Sequence, residues 1–266
     1  IIGKAMDLGM RLLTKNPILF VPFLITAVLN FFVGKYITAF MTQLLGPFLQ
    51  GTGFPGISAV GAQELDDIPA FDPGLSANPD AAQQALGGVM SSVLTALPQI
   101  IPLALIAGLV MLLMSLMAIK MMAQAQEGEI RMGEAILTAL KKLFTVVIAG
   151  ILYGLMVLIG TILLVIPGLI IGVRLYYFTY AVMVDNQGIG GALSTSWRLT
   201  QGNFWRSVGL LVIIGIVAGV FMGISNMFPP LSTGYFVVSG ITSLLVSAWA
   251  TSTLFTAYLQ MKGETA

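Results

Sequence analysis

The chain has 266 residues, 57% of them apolar and only 9% charged, with a formal net charge of +1 and neither Cys nor His. Soluble domains carry about 25% charged residues, so this composition excludes a soluble fold, and so small a net charge leaves no footprint for nucleic acid. Without Cys or His there is no thiol chemistry, no disulfide, no His-based triad and none of the usual zinc or haem ligand sets, so no cofactor or metal is expected.

Several runs reach the ~20 apolar residues that cross a bilayer core, and none shows the alternation of a barrel strand. The expected fold is an all-α membrane protein: one transmembrane domain over residues 1–266, with six transmembrane helices. Ile1 to Asn16 reads as an amphipathic helix lying in the interface, with Met6, Met10 and Leu13 on one face and Lys4, Arg11 and Lys15 on the other. It does not read as a cleavable signal peptide. Asn16-Pro17 reads as an N-cap followed by proline at the first helical position, opening a first span from Pro17 to Leu45.

Gly46 to Gly88 is rich in Gly and Pro and carries Glu64, Asp66, Asp67, Asp72 and Asp80 without a Lys or Arg, which reads as an acidic extracytoplasmic loop. A loop of this length is either functional or simply solvated. The next apolar region, Val89 to Ala123, would be ~52 Å long as one helix, so Pro98 and Pro102 are the expected break between a short helix and a second span from Ile101 to Ala123. Glu127 to Lys142 reads as a polar amphipathic segment before a third span, Leu143 to Val165. Pro167-Gly168 reads as a tight turn, with a fourth span running to Val184. Ser207 to Phe228 and Tyr235 to Leu259 complete the six. One side of this arrangement collects Lys4, Arg11, Lys15, Lys120, Arg131, Lys141, Lys142, Arg198, Arg206 and Lys262, which places both termini in the cytoplasm.

The basic segments that precede the outgoing spans look repeated. Counting from Ala5 and from Ala192, Gly9 pairs with Ser196, Arg11 with Arg198, Leu12 with Leu199 and Asn16 with Asn203, and Ala135, Ala139 and Lys141 echo the pattern. Three elbow-plus-hairpin units are therefore expected.

Arg174 is the sharpest single feature, because a guanidinium keeps its charge and an intramembrane charge faces a bundle interior or cavity. Measured from Pro167 it lies ~9 Å below the outer end of its helix, in the same outer half as Lys35. One reading is an outward-facing anion site lined by Arg174, Lys35, Tyr176, Tyr177 and Tyr180, with Asp66, Asp67 or Asp72 folding toward it. The other, preferred reading is a structural Arg bonded to helix-end carbonyls or snorkelling to headgroups. Gly215, Gly219 and Gly223 form a small-residue ladder, and Ser239, Ser243 and Ser247 a polar one at the same spacing. Such ladders serve helix packing within one chain or a homo-oligomer interface. Arg11, Trp197, Arg198, Trp205 and Arg206 read as interfacial anchors, and Met111, Met114, Met117 and Met121 as adaptable packing rather than a Cu(I) site. No span interior holds an Asp or Glu and no GxxxxGK[ST] loop occurs, so an enzyme is not expected.

The order IPG, then VR, then Ala-x3-Ser-x2-Leu leading to GNFWR (Pro167, Gly168, Arg174, Ala192, Ser196, Leu199, Gly202, Asn203 and Trp205) is similar to a broad group of uncharacterised prokaryotic membrane proteins. That group includes the membrane domain of some glycerophosphoryl diester phosphodiesterases. The resemblance implies a prokaryotic plasma-membrane protein and names an architecture, not a reaction; the soluble phosphodiesterase domain has no counterpart here. The expected function is a non-catalytic scaffold, accessory or regulatory subunit, with membrane lipids and either further copies or another membrane protein as partners. The alternative is a transporter or channel with an anion site near Arg174.

Overall fold

The computed structural model describes residues 2–51, 79–229 and 232–263, and its regular structure is entirely helical. In order these are α1 (Ile2–Lys15), a 3-10 turn (Pro17–Phe20), α2 (Val21–Gly51), α3 (Pro79–Glu127), α4 (Met132–Leu163), α5 (Val165–Leu175), α6 (Phe178–Met183), α7 (Ile189–Gln201), α8 (Phe204–Ser225) and α9 (Thr233–Lys262). Six stretches are long and apolar enough to cross a membrane: Pro17–Phe40, Leu97–Glu127, Met132–Leu163, Val165–Met183, Phe204–Ser225 and Thr233–Lys262. The all-α class and the six spans are as the apolar runs indicate.

The helix boundaries differ from the sequence reading in physically informative ways. α3 is one helix of 49 residues that runs through Pro98 and Pro102. Both rings lie on its exposed face at the start of the apolar stretch, and prolines of this kind are tolerated in membrane helices, where lost backbone bonds are made up locally. Because α2 continues to Gly51 and α3 begins at Pro79, the segment joining them is shorter than the expected loop over 46–88. The acids Glu64, Asp66, Asp67 and Asp72 lie outside the described residues.

The expected tight turn at Pro167-Gly168 falls instead inside the first turns of α5, and the chain reverses at Leu164, which is extended at φ −161° and ψ 136°. Proline is acceptable there because a first-turn N–H has no intrahelical partner. Gly168 is needed for a different reason. A Cβ on it would collide with the Thr161 side chain and stand 2.6 Å from the Thr161 nitrogen, and one on Gly160 would stand 2.9 Å from Gly168 Cα. The α4–α5 hairpin is thus closed backbone against backbone.

Asn16 stands at the N-cap position with Pro17 opening the 3-10 turn, as expected, but its side chain makes no capping bond. Its amide Nδ2 donates to the Leu12 carbonyl (3.3 Å) and closes the end of α1, while Leu19 N donates to the Asn16 carbonyl (3.0 Å) to start the 3-10 turn. Asn203 closes α7 in the same manner, its Nδ2 donating to Leu199 O at 3.4 Å. At the corresponding offset from Ala135 stands Val146, which offers no such bond, and α4 runs on unbroken from Met132 to Leu163.

The densest core lies at the end of the bundle that carries α1, the α3–α4 turn, α7 and the last turns of α9. α1 lays its small face, Ala5 and Gly9, directly on α9: a Cβ on Gly9 would be 2.9 Å from Thr253 N, and Thr256 Oγ1 donates to the Ala5 carbonyl at 2.8 Å. Ala135, Ala139 and Ala192 are likewise fully buried. Met114, Met117 and Met121 pack in this core, as the packing reading of the methionines requires. The α3–α4 turn passes through Gly128 at φ 99°, and Arg131 N donates to Gln124 Oε1 at 3.2 Å.

Gly168→Val is expected to destabilise the fold by about 3 kcal/mol, because the clash is with backbone that cannot yield. Gly154→Ala, where a Cβ meets nothing within 4 Å, is expected to be neutral or slightly stabilising. Thermal unfolding of the two purified variants in the same detergent checks both.

Candidate functional site: an interrupted helix and its elbow

The fourth span is broken. α5 ends at Leu175, Tyr176 and Tyr177 form the turn, and Tyr177 sits at φ −84° and ψ 5°, outside the helical region. In hydrocarbon an unpaired backbone group costs several kcal/mol, so a break must find partners elsewhere. Here α7 supplies them. Ser196 Oγ accepts from Tyr177 N (3.1 Å) and donates to the Arg174 carbonyl (2.8 Å), bridging the gap that the turn opens. Thr200 Oγ1 lies 3.1 Å from the same carbonyl and 2.8 Å from the Ser196 carbonyl, and its one proton serves one of them at a time. Ser196 and Thr200 are fully buried. They are four residues apart, hence on one face of α7 together with Ala192.

The Arg174 side chain closes the same contact from outside. Its guanidinium carbon sits 4.5 Å from the Trp197 ring centroid, a cation–π geometry worth up to about 2 kcal/mol when desolvated. Its Nε is buried and has no hydrogen-bond partner. Arg174 lies nine residues into α5, ~14 Å from the helix start, because that helix begins at Val165 rather than at Pro167. Arg174 and Ser196, far apart in the sequence motif, are therefore two halves of one contact.

Behind the break the core is closed by aromatic rings. Tyr177, Tyr180 and Tyr258 form a trio with ring centroids 5.9–6.4 Å apart. Tyr258 Oη donates to Asp185 Oδ2 at 2.6 Å, and Lys262 Nζ donates to Asp185 Oδ1 at 2.9 Å. The α6–α7 turn is thereby latched to the end of α9. Lys142 Nζ adds a bond to the carbonyl of Asn186 (3.2 Å), a residue held at φ 56°.

The residues singled out from the sequence do not converge. Lys35 is on α2, with Nζ 3.5 Å from Thr233 Oγ1 at the start of α9 and 5.3 Å from the Phe31 ring centroid. Arg174 is on Trp197. Tyr177 and Tyr180 are core residues, whereas Tyr176 turns to an open apolar groove of about 380 Å³ shared with Tyr153, Thr161 and Leu211. The helix break explains this: it points adjacent tyrosines to opposite sides. The expected approach of Asp66, Asp67 or Asp72 to Lys35 and Arg174 lies outside the described residues.

The ladders also divide. A Cβ on Gly215, Gly219 or Gly223 would meet nothing within 4 Å, so that face of α8 is open rather than packed within the chain. Ser239, Ser243 and Ser247 bond back to carbonyls of their own helix, and α8 is joined to α9 by Ser225 with Thr242, at 3.2 Å, and by Ser207 Oγ donating to Met261 Sδ, at 3.8 Å. Of the anchors, Arg11 pairs with Asp7 (3.0 Å), Arg206 Nη1 donates to Asn203 Oδ1 (3.0 Å), Arg198 is exposed, and Trp205 is 80% exposed with its ring edge-on to Phe204. The sequence places Asp185 too far along the helix to pair with Arg174 and does not single it out as a site residue, although it is the lone acid between Glu134 and Glu264, and that isolation is the available signal.

An all-helical chain with six membrane-length spans, one of them interrupted and clamped by the helix that follows it, is a multi-pass membrane protein. It belongs to the family described as a domain of unknown function (DUF7847), which matches residues 1–261. No solved structure matches the chain.

Ser196→Ala removes a partner from both the Tyr177 N–H and the Arg174 carbonyl, and is expected to cost about 1–3 kcal/mol. Thr200→Val is expected to cost less, since the carbonyl keeps Ser196. A double-mutant cycle in reversible denaturant unfolding checks the pair, and additive effects would show that the two hydroxyls do not share the carbonyl.

Proposed function

We propose that the protein is a non-catalytic multi-pass membrane component that acts as a scaffold, accessory or regulatory subunit, self-associating through the glycine face of α8. The observation that carries this reading is a pair of opposites. The core beneath the break is filled by Tyr177, Tyr180 and Tyr258, while Gly215, Gly219 and Gly223 lie open beside exposed Val212, Ile216 and Val220. In lipid, helices associate by close backbone approach rather than by apolar drive, and an open small-residue face suits such an approach. Transport is the weaker reading, because Lys35 and Arg174 have separate surroundings and two of the tyrosines expected to line a passage are packed in the core.

The same reading takes the chain as three related units in a prokaryotic plasma membrane, both termini in the cytoplasm, akin to the membrane domain of some glycerophosphoryl diester phosphodiesterases. Supporting the repeat are the paired Asn16–Leu12 and Asn203–Leu199 bonds and the buried alanines at Ala5, Ala135 and Ala192. The third unit is the fused α4, where Val146 replaces the asparagine.

Native mass spectrometry from nanodiscs tests the assignment. Wild type is expected to give a dimer or higher oligomer, and Gly219→Leu to weaken it by about tenfold. A strictly monomeric wild type would overturn self-association, and anion flux in proteoliposomes that falls with Arg174→Met would replace the scaffold by a transporter.

A further inference from the structure

α2 and α9 pack closely where Phe236 lies over Gly34 and leave a groove beside that contact. A Cβ on Gly34 would stand 2.8 Å from Phe236 Cε1, and the groove of about 300 Å³ runs from this contact toward Leu24 and Leu244. Its walls are two ridges at four-residue spacing, Leu24, Val28 and Phe32 on α2 facing Val237 and Ile241 on α9, all exposed. Its floor includes Ala27 and Gly240, and no charged side chain lines it. From Thr233 to Leu244 the groove side of α9 extends ~16 Å at 1.5 Å per residue, about half of a ~30 Å hydrocarbon core. It is one leaflet deep.

The end of this groove carries a charge. Lys35 lies exposed near the end of the first span, and its ammonium reaches the first residue of α9, with Thr233 Oγ1 at 3.5 Å. Among the described residues its contacts are that hydroxyl and the Phe31 ring, and no carboxylate pairs with it. A lysine near the end of a membrane span carries its charge to headgroup level along an apolar stem. We propose that the α2–α9 groove is a site for one anionic phospholipid, with an acyl chain between the two ridges and the headgroup phosphate on the Lys35 ammonium and the Thr233 hydroxyl. The groove supplies the apolar length, and the lysine supplies the preference for negative charge. Neither feature alone distinguishes a site from ordinary lipid contact; their alignment end to end does.

Native mass spectrometry of the full chain, exchanged into phosphatidylglycerol or phosphatidylcholine and delipidated stepwise, tests this. Wild type is expected to retain one phosphatidylglycerol past the point at which phosphatidylcholine is lost. Lys35→Gln is expected to lower that retention about fivefold, to the phosphatidylcholine level, and Lys35→Glu to abolish it. Gly240→Leu, which fills the floor, is expected to lose both lipids at an unchanged melting temperature. Should that variant fail to fold, Val237→Trp at an exposed wall position takes its place. Equal retention of the two lipids by wild type, undiminished phosphatidylglycerol on Lys35→Gln, or a second protein copy that leaves when the groove is filled would each overturn the proposal.

Discussion

A backbone that leaves the helix inside hydrocarbon must be given new hydrogen-bond partners, and the turn at Tyr176–Tyr177 places that demand on the whole elbow end of the molecule. Ser196 meets it with one hydroxyl that serves as acceptor and donor at once. For the hydroxyl to reach, α7 must come within hydrogen-bond distance of the break, and the small face of Ala192 and Ser196 permits that approach. Once α7 is there, Trp197 lies over the Arg174 guanidinium, and a charge that costs several kcal/mol unpaired in lipid gains a partner. The helix break also sends α6 inward, where Tyr177 and Tyr180 meet Tyr258, and Asp185 then ties the following turn to the end of α9.

Close approach is the second organising theme. Lipid tails are as apolar as leucine, so helices gain little from apolar contact alone and are held by packing density and hydrogen bonds. The chain places glycine where backbone meets backbone, Gly9 on α9 and Gly160 with Gly168 in the α4–α5 hairpin, and where a ring lies on backbone, Gly34 under Phe236. The apolar grooves lie beside such contacts, with Gly168 and Gly172 lining the one at Tyr176 and Ala27 and Gly240 the one at Phe236. The molecule is tightest at its elbow end and looser toward the other.

The spans could be read from the sequence because an apolar run of sufficient length has one dominant physical meaning. Continuity could not. Pro98 and Pro102 break helices in water, where the competing coil is solvated, but the lipid penalty on free backbone groups favours keeping α3 whole. Val146, at the offset where Asn16 and Asn203 stand, was visible, yet the unbroken run of α4 could be read only by knowing that those asparagines act on helix ends. Arg174 stood out as a charge in a span, but its partner is an aromatic ring more than twenty residues away, and no periodicity reports such a pairing. Ser239, Ser243 and Ser247 formed a convincing ladder, and their hydroxyls are nevertheless satisfied within their own helix. The resemblance motif held more structural content than its spacing implied, since Arg174, Ala192 and Ser196 all belong to the clamped break.

The central claim is that the interruption of the fourth span is a hydrogen-bonded element of the fold and not a frayed helix end. Residue-resolved hydrogen exchange of the wild-type chain in nanodiscs measures this directly at the Tyr177 amide. The account predicts protection comparable with the amides of α5 on one side and α6 on the other. Exchange at Tyr177 as fast as at the exposed α3–α4 turn around Gly128 would contradict it.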